Sequence, residues 1–221
     1  MKEKTIVCIS CYYKGYDFIE ELKKLNNRVI LITSENFKDK KWPWHAIDEV
    51  YYMTEIEPSV WNLDHLVQGF SHLKKTNKID AVIALDDYDV EKAALIRETF
   101  RIPGMGQTTQ RYFRDKLAMR QMAKDSNIDA PEFTAIFNDD IVNEFVDKIV
   151  APWVLKPRSE ASATGIIKIK SKDELWEAIH QLGEKRHLFL LESFKPGDVF
   201  HVDSLVYKKE IIFCSASQYL S

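Results

Sequence analysis

Two hydrophobic rhythms alternate along the first hundred residues. Thr5–Ser10 (TIVCIS), Arg28–Thr33 (RVILIT) and Ala81–Leu85 (AVIAL) are near-continuous apolar runs rich in β-branched residues. Runs of that kind predict strands buried on both faces of a parallel sheet. Val50–Met53 predicts a short further strand. Between them, Gly15–Asn26 carries Phe18, Ile19, Leu22 and Leu25 at helical spacing, and Trp61–Thr76 and Val90–Phe100 are also helical. This alternation predicts a doubly wound α/β layer, with the first clear break at Ile102-Pro103-Gly104. Ligands of such sheets sit beyond the carboxyl ends of the strands. Two edges qualify, Ser10–Tyr13 and the acidic Asp86-Asp87-Tyr88-Asp89. The acidic edge suits a cationic substrate group, and equally the capping of a helix.

The second half has a different rhythm. A helix is predicted over Thr109–Asp125, carrying Arg111, Arg114, Lys116, Arg120 and Lys124, and another over Asp139–Lys148. Strands are predicted at Phe133–Phe137, Trp153–Lys156, Gly165–Ile169, Leu188–Glu192, Phe200–Val206 and Glu210–Ser215. Ser171–Leu182 is a helix with Ser171 as N-cap and Glu174 at the capping-box position. This half therefore predicts an α+β arrangement with antiparallel ladders.

Composition narrows the class without naming a chemistry. Hydrophobic residues are 45% and charged residues 29% of 221, which is ordinary for a globular chain. Lys and Arg number 31 against 34 Asp and Glu, a net charge of −3. No global basic field for nucleic acid exists. No run approaches the roughly 20 apolar residues of a membrane helix, and the start lacks the apolar core of a secretory signal. Three cysteines make no disulfide framework, so a cytoplasmic protein with reduced thiols is expected. Cys8 and Cys11 form a C-x-x-C without a second ligand pair, and read as apolar filling rather than zinc ligands. No G-x-G-x-x-G follows the first strand, and Gly104-Met105-Gly106 reads as a turn.

The chemistry concentrates downstream. Val154-Leu155-Lys156-Pro157 delivers a lysine on a strand, and a loop of small residues, including Ser162 and Thr164, runs from there to Gly165. Small side chains let backbone N–H groups close on an anion, and lysine adds a point charge on a long stem. Next, Glu192 closes an apolar strand, Ser193 and Phe194 follow, and a turn at Pro196-Gly197 leads to His201 and Asp203, which share a strand face.

In this order the segments resemble the ATP-grasp superfamily of ATP-dependent carboxylate–amine or thiol ligases. The match rests on the early βαβ layer, Arg114-Asp115-Lys116, the Leu155-Lys156-Pro157 strand with its loop to Gly165, and Glu192-Ser193-Phe194 followed by Gly197 and His201-Val202-Asp203. The resemblance implies a preceding α/β domain over 1–105 and an ATP-grasp domain over 106–221. Within the latter, 130–187 would be a lid and 188–221 the start of a large subdomain. It implies ATP as ligand, with Lys116 and Lys156 on the α- and β-phosphates. The loop with Ser162, Thr164 and Gly165 would lie over the triphosphate, Glu192 and the backbone near Phe194 at adenine, and His201 or Asp203 near ribose or phosphates. A small-molecule carboxylate and an amine would be the other partners, with Asp86 and Asp87 as weak candidates on the substrate side. A homodimer is a further possibility.

The chain also departs from the family pattern. Val199 stands where some members carry a ribose-binding Glu. The family's Mg²⁺ ligands, often in an E-x-N pattern, have no counterpart after Glu192, and are expected beyond residue 221. A complete, non-catalytic nucleotide-binding or interaction module is the alternative reading. A sugar- or nucleotide-modifying enzyme using Asp86, Asp87 and Asp89 ranks third.

Overall fold

A computed structural model describes residues 2–160 and 164–219, which form two compact units. The first comprises Met1–Ala130 and Pro157–Gly165, and the second Pro131–Lys156 and Ile166–Ser221. The position near 105 lies inside the first unit, between two helices that touch.

The first unit is built on β1 (Thr5–Ser10), α1 (Tyr16–Lys24), β2 (Arg28–Ser34), β3 (Glu49–Met53), the short strands β4 (Glu55–Glu57) and β5 (Val60–Trp61), α2 (Leu63–Thr76), β6 (Ala81–Ala84) and α3 (Val90–Phe100). α4 (Gln107–Arg114) and α5 (Lys116–Asp125) complete it. Its main sheet has the order β3-β2-β1-β6, with every pairing parallel. Val7, Ile9, Ile30 and Ile32 pack with Phe70 and Ile96, while Cys8, Val29 and Leu31 pack with Ile19 and Trp42. Alternate residues of β1 and β2 thus feed two separate apolar layers, as a sheet covered on both faces requires. Gly15 starts α1 at φ +88, and a Cβ there would lie 2.6 Å from Leu85 Cδ1. Only glycine fits both constraints without strain.

Two expectations need correction here. The helix expected from Trp61 starts at Leu63, because Trp61 pairs with Glu55 in a small hairpin and Asn62 caps the helix by accepting from His65 N–H at 3.1 Å. The single helix expected over 109–125 is two helices. Asp115 between them is extended (φ −96, ψ 108), and its side chain accepts from Leu117 N–H at 3.0 Å.

The second unit contains β7 (Phe133–Ala135), α6 (Asp139–Lys148), β8 (Trp153–Pro157), β9 (Ile167–Ile169), α7 (Lys172–Leu182), β10 (Phe189–Ser193), β11 (Phe200–Tyr207) and β12 (Glu210–Gln218). The sheet order is β7-β10-β8-β9, antiparallel at β7–β10 and β8–β9. Trp153 and Leu155 alternate inward onto Val142, Phe145, Leu175 and Ile179, and the intervening Val154 and Lys156 are turned from that layer. The capping box at α7 forms: Glu174 N–H donates to Ser171 Oγ at 3.2 Å, and Glu174 Oε2 accepts from Lys170 N–H at 2.7 Å. β9 begins at Ile167 rather than Gly165, since Gly165 occupies a turn at φ +72. β11 and β12 form a separate antiparallel hairpin whose described residues are all exposed. No helix among the described residues is long and apolar enough to cross a membrane.

Candidate functional site

In the second unit the structure brings Lys156 and Glu192 together. The two lie on neighbouring strands, β8 and β10, with Lys156 Nζ 2.5 Å from Glu192 Oε2. The side chains are only 12% and 5% exposed, so the pairing offsets the desolvation of both charges. Beyond Glu192, Ser193 N–H donates to Glu132 O (2.8 Å) and Phe194 N–H to Pro152 O (3.0 Å). The strand end is therefore pinned on both sides. Phe194 packs its ring under Lys168 Nζ at 3.7 Å, a cation–π contact that sequence spacing could not reveal. Ser193 Oγ is buried and has no hydrogen-bond partner among the described residues. His201 and Asp203 meet at 3.3 Å on the exposed hairpin, with Tyr219 against the imidazole.

In the first unit, Lys116 opens α5 and its Nζ donates to Glu160 O at 2.5 Å. Asp115 receives Arg158 Nε at 2.9 Å and a second bond from the same guanidinium. Burial alone would raise the Asp115 carboxyl, but the Arg158 guanidinium and the Leu117 and Ala118 N–H groups outweigh it and hold the value below the usual range. Arg114 donates to Ser159 O and lies over the Tyr88 ring at 5.1 Å. The capping role of Asp115 and its pairing with Arg158 were not read from sequence, because a helix read through residue 115 hides them. Thr164 and Gly165 sit in a turn, where a Cβ on Gly165 would meet Pro157 Cγ at 2.9 Å. Ser162 lies outside the described residues.

The carboxyl edge of β1 and β6 forms a cleft of about 390 Å³ lined by Lys14, Ala84, Leu85, Asp86, Asp87 and Val90. Asp86 is committed, accepting from Tyr88 N–H (3.1 Å) and pairing with Lys14 (2.6 Å), while Asp87 is exposed. Tyr12 stacks on Tyr88 beside them, at 5.5 Å between ring centroids. Deeper, Asp89 is wholly buried and accepts from Cys11 N–H at 2.8 Å. Lys92 donates to Tyr88 O at 2.7 Å and to Cys11 Sγ at 3.3 Å. Burial pushes the Cys8 and Cys11 thiols up to about 12, so both are protonated fillers at neutral pH.

Each unit by itself offers groups of the kind a nucleoside phosphate uses: Lys156 and the unspent Ser193 Oγ in the second, and Lys116 with a glycine turn beside Pro157 in the first. They do not fit a metal held by the protein alone: among the described residues, no three His, Cys, Asp or Glu side chains come together as a ligand set.

No protein-family model matches the chain. Over 181 residues it is 25% identical to an L-arginine-specific L-amino acid ligase from Bacillus subtilis, covering 79% of this chain and 43% of that protein. The solved L-amino acid ligase of Bacillus licheniformis superposes with a TM-score of 0.69 at 21% identity, over 96% of this chain and 49% of that one. An N5-carboxyaminoimidazole synthetase from Staphylococcus aureus, complexed with ADP, superposes at 0.72 with 14% identity, over 100% of this chain and 56% of that one. The chain spans about half, or less, of the proteins it matches. A sequence relative and a fold shared along nearly the whole chain agree: this chain is similar in sequence to an amino acid ligase and has the fold of the ATP-grasp ligases.

Proposed function

We propose that this chain is the ATP-binding part of a cytoplasmic ligase that joins a carboxylate to an amine. The observation that carries the reading is the buried Lys156–Glu192 pair, set where an inner strand opens into a small-residue loop. In this reading Lys156 and Lys116 contact the α- and β-phosphates, and the segment ending at Thr164 and Gly165 lies over the triphosphate. Glu192, Ser193 and the backbone beyond Phe194 read adenine. His201 or Asp203 serves the ribose or phosphate side. Mg²⁺ accompanies the nucleotide and would neutralise phosphate charge.

The chemistry follows from charge. A carboxylate oxygen attacks the γ-phosphorus, giving an acyl phosphate and ADP. An amine then attacks the acyl carbon, and phosphate leaves with its electron pair. The protein's contribution is orientation and neutralisation of phosphate charge. Residues 1–105 act as the preceding domain that shapes the substrate side. Its cleft, lined by Asp86 and the exposed Asp87, favours an amino-acid substrate bearing a cation. The L-arginine specificity of the Bacillus subtilis relative supports that choice.

Competition against a fluorescent ATP analogue tests the nucleotide reading. ATP and ADP should displace it far better than AMP, because the lysines act on phosphates. GTP should be weaker than ATP, because guanine presents a donor where adenine presents an acceptor. An equal ranking of all four contradicts the reading.

A further inference from the structure

We infer that Asp115 is a positioning residue for Lys116 in phosphate binding. The inference rests on the reading of Lys116 as a phosphate contact. Three consecutive residues at the α4–α5 break grip three consecutive residues at the base of the loop. Arg114 donates to Ser159 O, Asp115 accepts from the Arg158 guanidinium, and Lys116 Nζ donates to Glu160 O. A backbone bond from Lys116 N–H to Arg158 O at 2.8 Å closes the same set. Asp115 sits at its centre, 6% exposed, and its carboxylate does three things at once. It ends one helix, caps the next through Leu117 N–H, and holds Arg158.

The consequence concerns Lys116. Its backbone is fixed by the cap and by Arg158 O, so its stem leaves the helix start in a set direction. Its ammonium rests on a neutral carbonyl, which a phosphate oxygen can replace with a stronger, charge-assisted bond. The side chain is thus oriented beforehand. Orientation before binding lowers the ordering cost and shows as phosphate affinity.

Calorimetric binding of ATP, ADP and adenosine separates this role from a merely structural one. Asp115→Asn should weaken ATP and ADP by about tenfold or more, the scale of one hydrogen bond to a charged group, and leave adenosine unchanged. In a Lys116→Ala background the same substitution should cost nothing further, because its effect passes through Lys116. Arg158→Gln leaves the α5 cap in place and carries the same expectation if Asp115→Asn does not fold. Equal losses for adenosine and ATP, or full additivity with Lys116→Ala, overturn the positioning role. If Lys116→Ala itself leaves ATP affinity unchanged, the nucleotide reading of Lys116 fails, and the inference with it. If Lys116→Ala weakens ATP while Asp115→Asn and Arg158→Gln do not, the inference alone fails.

Discussion

Lys156 Nζ and Glu192 Oε2 lie 2.5 Å apart on neighbouring strands, and neither side chain is more than 12% exposed. Removing one partner leaves the other charge without its ion pair in a poorly solvated place, at a cost of about 3–5 kcal/mol. Lys156→Ala should therefore lower stability by about 3 kcal/mol, and weaken ATP by about 1.5–3 kcal/mol. Adding Glu192→Gln should restore much of the stability and none of the ATP affinity. Urea denaturation and calorimetry on the three proteins check both halves. Unchanged ATP affinity in Lys156→Ala would show that the triphosphate has been misplaced.

Gly165 offers a backbone test of the loop. Its φ of +72 and the 2.9 Å approach to Pro157 Cγ both exclude a side chain. Gly165→Ala should cost about 1–3 kcal/mol, through strain at a left-handed position. Weaker ATP binding with adenosine affinity preserved would accompany it. A melting temperature and an ATP affinity equal to wild type would show that the turn is not needed as drawn.

Asp89 makes a pH prediction within the first unit. Burial, partly offset by the bond from Cys11 N–H and by Lys92, pushes its carboxyl up to about 6. Its unfolded value is about 3.9. The folded protein thus holds the extra proton between those values, and this group's contribution to stability falls as pH rises from about 4 to 6. Asp89→Asn removes that slope. The stability of the variant relative to wild type should rise with pH across this window, as read by urea denaturation at several pH values. A constant difference would contradict the assignment.

Legibility in the sequence followed the range of the forces involved. β1 and β2 were readable because a central parallel strand must be apolar at nearly every position, which leaves an unbroken run such as TIVCIS; β6, at the sheet edge, keeps the shorter run AVIA. The capping box at Ser171 and Glu174 was readable because it is closed within four residues. The break at Asp115 was not. Residues 109–125 keep a helical spacing, and the extended backbone at 115 goes with a guanidinium 43 positions away. The hairpin at Glu55–Trp61 is too short to give a pattern, and it moved the start of α2 by two residues. Lys156 and Glu192 were each visible as candidates, but their ion pair depends on strand order, which no local pattern encodes. Lys168 over Phe194 was hidden for the same reason.

The central proposal is that ATP binding depends on Lys116 and on Lys156. Calorimetric titration of the protein with ATP in the presence of Mg²⁺, repeated on Lys116→Ala and Lys156→Ala with the exposed Lys2→Ala as control, tests it most directly. The account predicts saturable one-to-one binding in the wild type and in the control, weakened by about tenfold or more in each of the other two variants. No saturable binding, or an affinity indifferent to both lysines, would contradict it.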